Sequence, residues 1–450
     1  MIEFRPNATR TGRLLDLLRR IAGGRLPDGR LARNTLWVLV ARGLRLGIQT
    51  VYFVLIARAL GAEHFGAFVG VLALVQILAP FANLGAGNLL VKNVAREPRS
   101  FEAYWGSALV LNAIVGALLL AGVTLLSLWV LPRQISIELV LLVCLAELFF
   151  ATVLHASAQA FQALERMFRM ALLEVTLSAA RLAAVAVLLK SGAEVTAVVW
   201  GQYYLASTTA AAAIGVAMVW LELGRPRPDL ARIRPELGEG FYFAAGLSSQ
   251  SIHGNIDKTM LTRLASLDAA GIYGAAYRIV DVALQPVAAL LYSSYARFFR
   301  HGAAGVAGTV RLARQLVPVS AVYSAVAAGA FFFAAPLAPW LLGESYAAAA
   351  SALRWLALLP LLKSASYFAG DALTGAGHQR LRVLWIAIAA GGNFLLNLWL
   401  IPLYSWRGAA VATLLTETLL AVALWLVLAR LLRAERRSAA AASAVPESAV

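Results

Sequence analysis

Apolar runs of twenty or more residues recur along the chain, each closed by a short cluster of charged, glycine or proline residues. A helix of about 20 apolar residues crosses the roughly 30 Å hydrocarbon layer of a bilayer, so each run predicts one membrane span. The pattern places spans at 34–58, 66–90, 104–131, 136–162, 168–189 and 195–221. After a polar break, six more follow at 239–263, 269–296, 312–341, 346–374, 381–402 and 408–431. The expected fold class is therefore an all-α integral membrane protein with about twelve transmembrane helices.

Composition supports this reading. Hydrophobic residues make up 61% of the chain and charged residues 14%, with a mean hydropathy of +0.75. A soluble protein carries about 25% charged residues. The net charge of +16 raises the question of nucleic acid, whose phosphates attract basic proteins. Here the basic residues sit at the ends of apolar runs, with no zinc-finger spacing and no basic groove interleaved with aromatics, so no nucleic-acid partner is expected. The single cysteine, Cys144, lies in an apolar run and excludes an intrachain disulfide.

Charge also orients the chain, because cytoplasmic loops carry the lysine and arginine excess. Of the 39 such residues, seven fall at membrane depth and Arg58, Arg133, Lys190, Arg263 and Arg407 fall in outer loops. The rest lie on one side when both termini are placed in the cytoplasm. One span more or fewer would scramble this separation, so it supports the even count.

The expected organisation has five parts. Residues 1–33 form a basic cytoplasmic segment, either an amphipathic helix on the inner leaflet or a frayed tail. Residues 34–221 form a first six-helix lobe and 239–434 a second. Between them, 222–238 form a cytoplasmic linker carrying Pro226, Pro228, Pro235 and four arginines. Residues 435–450 form a tail expected to be disordered. An offset of 205 residues aligns Arg58, Glu63, Gly66 and Phe68 with Arg263, Asp268, Gly271 and Tyr273. Both lobes start on the same side, which predicts parallel repeats about a pseudo-two-fold axis along the membrane normal.

The seven basic residues at membrane depth are Arg42, Arg45, Arg181, Lys258, Arg278, Arg354 and Lys363. Each costs about 2.5–3.5 kcal/mol at the centre of a span, so each requires a reason. A basic majority over both lobes predicts a water-filled, positive cavity for an anionic substrate, with phosphate the natural candidate for guanidinium groups. The acids at similar depth are Glu147, Glu174, Asp257, Asp281, Asp371 and Glu417. Structural pairing competes with substrate binding at Glu174 with Arg181 and at Arg278 with Asp281, which share helix faces. Arg354 and Lys363 either line the cavity or snorkel to headgroups. Asp257, Asp281, Glu174 and Asp371 stand as candidates for ion coupling or charge pairing. No phosphate loop and no metal-ligand spacing occur, and no cofactor is expected beyond a coupling proton or sodium ion.

Three stretches carry a family resemblance: Ala57–Phe68 (ARALGAEHFGAF), Asn255–Tyr277 (NIDKTMLTRLASLDAAGIYGAAY) and Ile401–Thr413 (IPLYSWRGAAVAT). With twelve spans, they resemble the polysaccharide transporters, Wzx-like flippases of O-antigen or exopolysaccharide repeat units. These belong to the superfamily that also contains multidrug exporters and lipid II flippases. The resemblance implies a non-enzymatic flippase of the bacterial inner membrane that moves an undecaprenyl-pyrophosphate-linked oligosaccharide outward by alternating access. Its partners would be membrane lipids and the pathway's glycan polymerase and glycosyltransferases. The alternatives are a small-molecule exporter of the same superfamily or a membrane-embedded glycan polymerase or ligase.

Overall fold

The computed structural model describes residues 29–303 and 305–443, with side chains from residue 40 to 438 except those of 42, 296 and 304. Most of the basic segment 1–33 and the last residues, 444–450, therefore lie outside the described residues.

The described chain is helical from end to end, as the apolar runs predict. Helix α1 (Gly29–Leu78) is a hairpin of two arms joined at Gly61, whose φ of 69° is left-handed and suits glycine. A second break at Gly85, also left-handed, separates it from α2 (Ala86–Arg96). Helix α3 (Phe101–Val130) follows. Next, α4 (Ile137–Cys144) runs through a π-helical turn over Leu145–Ala151 into α5 (Thr152–Ala163). Helices α6 (Met167–Lys190) and α7 (Ala197–Glu222) complete the first half. After the short α8 (Leu230–Ile233), the second half holds α9 (Leu237–Leu264), α10 (Leu267–Gly302) and α11 (Val306–Ala334). It ends with α12 (Leu337–Leu342), α13 (Ala349–Leu356), α14 (Leu359–Gly375), α15 (Gln379–Tyr404) and α16 (Trp406–Ser443).

Among the described residues, nine segments are long and apolar enough to cross a membrane. One of them, Gly43–Phe81, contains both arms of α1. Two further passes fall short of that measure. Helix α9 carries His253, Asn255, Asp257 and Lys258 in its middle, and the pass made by α13 and α14 is interrupted before Pro360. Together they make the twelve passes expected. The tail departs from expectation: α16 continues as helix to Ser443 through its alanine-rich end, where disorder was expected from 435.

The halves meet through α1 and the α9–α10 hairpin. A methyl group added to Gly66 would collide with the carbonyl oxygen of Leu267, and one added to Gly271 would collide with that of Ala62. Positions 62 and 66 become 267 and 271 at an offset of 205. Each residue therefore meets the counterpart of its counterpart's partner, the self-complementary contact that a two-fold axis produces. The second arm of α1 also packs along α9, where Thr259 Oγ1 donates to Gly70 O (3.3 Å) and Ser248 Oγ to Ile77 O (2.7 Å).

Residues 225–239 run across the ends of α2 and α3. Arg227 N donates to Glu102 O (3.0 Å), Asp229 N to Ser107 Oγ (2.9 Å), and Ile233 is buried. Glu236 accepts from Asn93 and Tyr104, each at 2.7 Å, and lies 3.8 Å from Lys92. Desolvation pushes its carboxyl up, but these hydrogen bonds with the charges of Lys92 and Arg232 outweigh that and hold it below the usual glutamate range. Exposed Trp129, Phe333, Trp340, Trp399 and Tyr404 cluster near the ends of their helices remote from this strap. That is the position of an interfacial aromatic belt.

Candidate functional site

The ionisable residues at membrane depth form two separate clusters. In the first half, the π-helical turn rotates Glu147 toward α6 and α7. Arg181 Nη2 donates to Glu147 Oε1 at 3.0 Å and its guanidinium lies 4.2 Å from the centre of the Tyr204 ring. Tyr204 Oη donates to the same carboxylate oxygen at 2.5 Å. Arg45, on the first arm of α1, pairs with Glu174 at 2.9 Å. Arg42 lies on the same arm, with its side chain outside the described residues. Of the two alternatives for Arg181, neither the same-helix pair with Glu174 nor a free cation is found: two interhelical pairs form instead. A same-helix partner seven residues away is two turns distant, about 10 Å along the axis, whereas the neighbouring helices offer contact distance.

The second cluster spans α9, α10, α14, α15 and α16. Asp257 is buried and accepts from Tyr273 Oη (2.5 Å) and Thr413 Oγ1 (3.3 Å). Lys258 Nζ donates to Gly254 O (2.7 Å) and Asn255 Oδ1 (3.1 Å) and stands 4.1 Å over the Tyr277 ring. Lys363 Nζ donates to the hydroxyl of the same tyrosine at 2.5 Å and lies 4.0 Å from Glu417. Glu417 also meets His253 Nε2 at 3.0 Å. Asp371 pairs with Arg382 at 2.9 Å, and Arg382 also reaches Thr374 Oγ1 (3.0 Å). Asn397 Nδ2 donates to Asn393 Oδ1, and Asn393 Nδ2 to Thr416 Oγ1.

A cavity of 480 Å³ opens among these helices. Buried Lys363, Ser366 and Glu417 form its floor, and the exposed Gln250, Tyr292 and Tyr295 stand at its rim.

Several expectations need correction. The membrane interior is not a positive lumen of free cations. Arg45, Arg181 and Lys363 all face carboxylates, because the cost of isolated charge in a low-dielectric interior is relieved by pairing. Arg278 and Asp281 do not pair: both are half-buried on α10, and among the described residues neither makes an ion pair within 4.0 Å. Arg354 is exposed and lies against Phe332, its Nε 3.4 Å from Phe332 O. It therefore snorkels along an outer surface and joins neither cluster. Arg382, expected in a loop, sits inside the second cluster. Lys258 and Arg278 are left as membrane-depth cations without an ion pair among the described residues.

The sequence profile described as "Polysaccharide biosynthesis protein" matches residues 31–300, more than half of the chain. The chain belongs to this family. No curated protein sequence matches it. Among solved structures, this family member is similar to an inward-facing multidrug resistance MATE family transporter of the MOP superfamily. That match has a TM-score of 0.68 and 13% identity and covers 91% of this chain and 100% of the other. It is also similar to the lipid II flippase MurJ in an inward closed conformation, with a TM-score of 0.68 and 12% identity over 86% of each chain. An outward-facing MATE transporter matches at 0.61 and 15% identity, over 90% and 97%. At these identities the likeness establishes the fold.

Sequence reasoning missed His253, Tyr277 and Arg382 as site residues of this family member. A signal was present for His253, which precedes the Asp257–Lys258 pair by one helical turn and so shares its face. Arg382 carried a weaker one, since it opens the predicted span 381–402 after the acid-bearing span 346–374.

Proposed function

We propose that this protein is a flippase that carries a polyprenyl-pyrophosphate-linked oligosaccharide from the cytoplasmic to the outer leaflet of a bacterial plasma membrane. Both termini are cytoplasmic in this reading, as the loop arginines require. The observation that carries it is the Lys258–Arg278 pair of cations, held at membrane depth without ion pairs among the described residues, in a chain of a polysaccharide family. Two positive charges without a carboxylate in ion-pair contact suit a diphosphate, whose oxygens accept charge-assisted hydrogen bonds. The MurJ likeness supports the reading, because that protein is named as a lipid II flippase.

The mechanism is alternating access. The lobes rock about the contact around Gly66 and Gly271, the headgroup passes between them, and the polyprenyl tail stays in lipid. Asp257, held by Tyr273 and Thr413 beside Lys258, exchanges partners when the diphosphate engages Lys258. This exchange couples the cycle to a proton or a sodium ion. A second reading is export of small molecules, after the multidrug resistance transporters whose fold this chain shares.

The test is translocation of a polyprenyl-pyrophosphate oligosaccharide in proteoliposomes. Lys258→Ala and Arg278→Ala should each slow it by roughly tenfold or more, the consequence of losing a charged hydrogen bond of about 1.5–3 kcal/mol. Arg354→Ala should leave the rate unchanged. Wild-type rates in both the Lys258 and Arg278 variants would refute the reading, and transport of a multidrug substrate such as a dye in place of the lipid would establish the second.

A further inference from the structure

The cavity of the second half has a charge pattern that selects among ligands. Its two permanent cations, Lys363 and Arg382, already stand 4.0 Å and 2.9 Å from the carboxylates of Glu417 and Asp371. The signs cancel, so the cavity has no surplus charge for a phosphate, a carboxylate or an organic cation. It is nonetheless polar, with Gln250 and Ser366 in its lining and the closed Glu417–His253 pair beneath. Glu417 is only 2% exposed, and its Oε2 has no hydrogen-bond partner. His253 Nδ1, one residue away across the Glu417–His253 bond, is likewise buried and unpartnered. Tyr292, Tyr295 and Tyr367 supply aromatic surface beside these groups. At 480 Å³ the space falls within the range of about 300–1,000 Å³ that holds small ligands.

We infer that this cavity binds the uncharged saccharide portion of a lipid-linked glycan, as a subsite separate from the Lys258–Arg278 anion locus. The inference rests on the flippase reading. Sugar hydroxyls both donate and accept, so they match a wall of alternating carboxylates, cations and amide. Sugar hydroxyls reach the amide of Gln250 at the rim and the Arg382 guanidinium on the wall, above the closed Glu417–His253 pair. The C–H faces of a sugar ring lie against tyrosine rings. Tyr277 joins the two subsites, since Lys363 bonds its hydroxyl at the cavity floor and Lys258 stands over its ring on the anion side. A diphosphate at Lys258 and Arg278 would therefore place its first sugars at the cavity.

The test uses full-length protein in nanodiscs and two probes: undecaprenyl pyrophosphate, and the same lipid bearing a neutral trisaccharide. Wild-type protein should bind the glycosylated lipid roughly tenfold more tightly. Gln250→Ala and Tyr367→Ala should each bring the affinity ratio toward one. Both residues lie at the exposed edge of the cavity, so neither substitution opens the buried core. Equal wild-type affinity for both lipids would overturn the saccharide subsite while leaving the flippase reading intact. Binding of neither lipid would overturn the flippase reading itself. An unchanged ratio in both variants, or a preference for a carboxylated trisaccharide over the neutral one, would also overturn the subsite as drawn.

Discussion

At the scale of residues, the sequence identified which charges lie in the membrane but not which ones touch. Arg181 and Glu147 are 34 positions apart, and Arg45 and Glu174 are 129 apart. Neither separation is visible in a periodicity, because such partners are chosen by which helices become neighbours and by how each is rotated. For Glu147 the rotation depends on the π-helical turn, which no residue pattern in the sequence announces. The pair it forms is well buried, with side-chain exposures of 14% and 13%. Removing one member leaves the other charge without compensation, at a cost of about 3–5 kcal/mol. Glu147→Ala should therefore lower the thermal midpoint of the detergent-solubilised protein markedly. The double variant Glu147→Leu with Arg181→Met should recover most of the loss. If the single variant melts with the wild type, the pair is not a structural element of the first lobe.

At the scale of elements, the apolar runs located all twelve passes, including α9, which is too polar for a hydropathy criterion alone. They were legible because a span is a local property of some twenty residues. Contacts between spans are not local, and one was readable only through the internal repeat. The alignment of Gly66 with Gly271 came from a 205-residue offset, and the structure shows these glycines at the reciprocal contact of α1 with α10. A side chain at either position meets backbone, which cannot move aside as a flexible side chain can. Overpacking of this kind costs about 1–3 kcal/mol and should part the helices. In a Cys144→Ser background with Ala62→Cys as reporter, Gly66→Val should raise the rate of labelling by a membrane-impermeant maleimide several-fold. Ala62 is 1% exposed in the parent, so an unchanged slow rate would mean that the contact does not hold this face closed.

At the scale of the whole molecule, the two halves are bound by unlike devices at their two faces. Around Gly66 and Gly271 the contact is close and apolar, and α1, α10 and Tyr346 pack there, with Tyr346 Oη donating to Ala57 O and Gly61 O, both at 3.0 Å. On the strap side ion pairs are added to a close apolar contact, where Phe81 meets Phe241 and Gly85 lies against Gly240. Arg232 pairs with Glu97, Arg227 with Glu102, and Lys92 with Glu239. The prolines and arginines of residues 222–238 predicted a linker, but a composition typical of linkers carries no sign that it docks on α2 and α3. Glu236 is the centre of that docking, and its acidity gives the strap a pH signature. A carboxyl held below its unfolded value, about 4.3 for glutamate, contributes stability above that value. The contribution is lost as pH falls through the lower folded value. Exposed pairs contribute only about 0.2–1 kcal/mol each, so the effect is modest. Glu236→Gln should lower the thermal midpoint slightly at pH 7, and the gap from wild type should narrow as pH falls below about 4.3. A gap that stays constant from pH 7 to pH 3 would show that the strap is held by its buried Ile233 and backbone bonds alone. A gap that closes would make the strap's ion pairs part of what holds the two halves together on this side of the molecule.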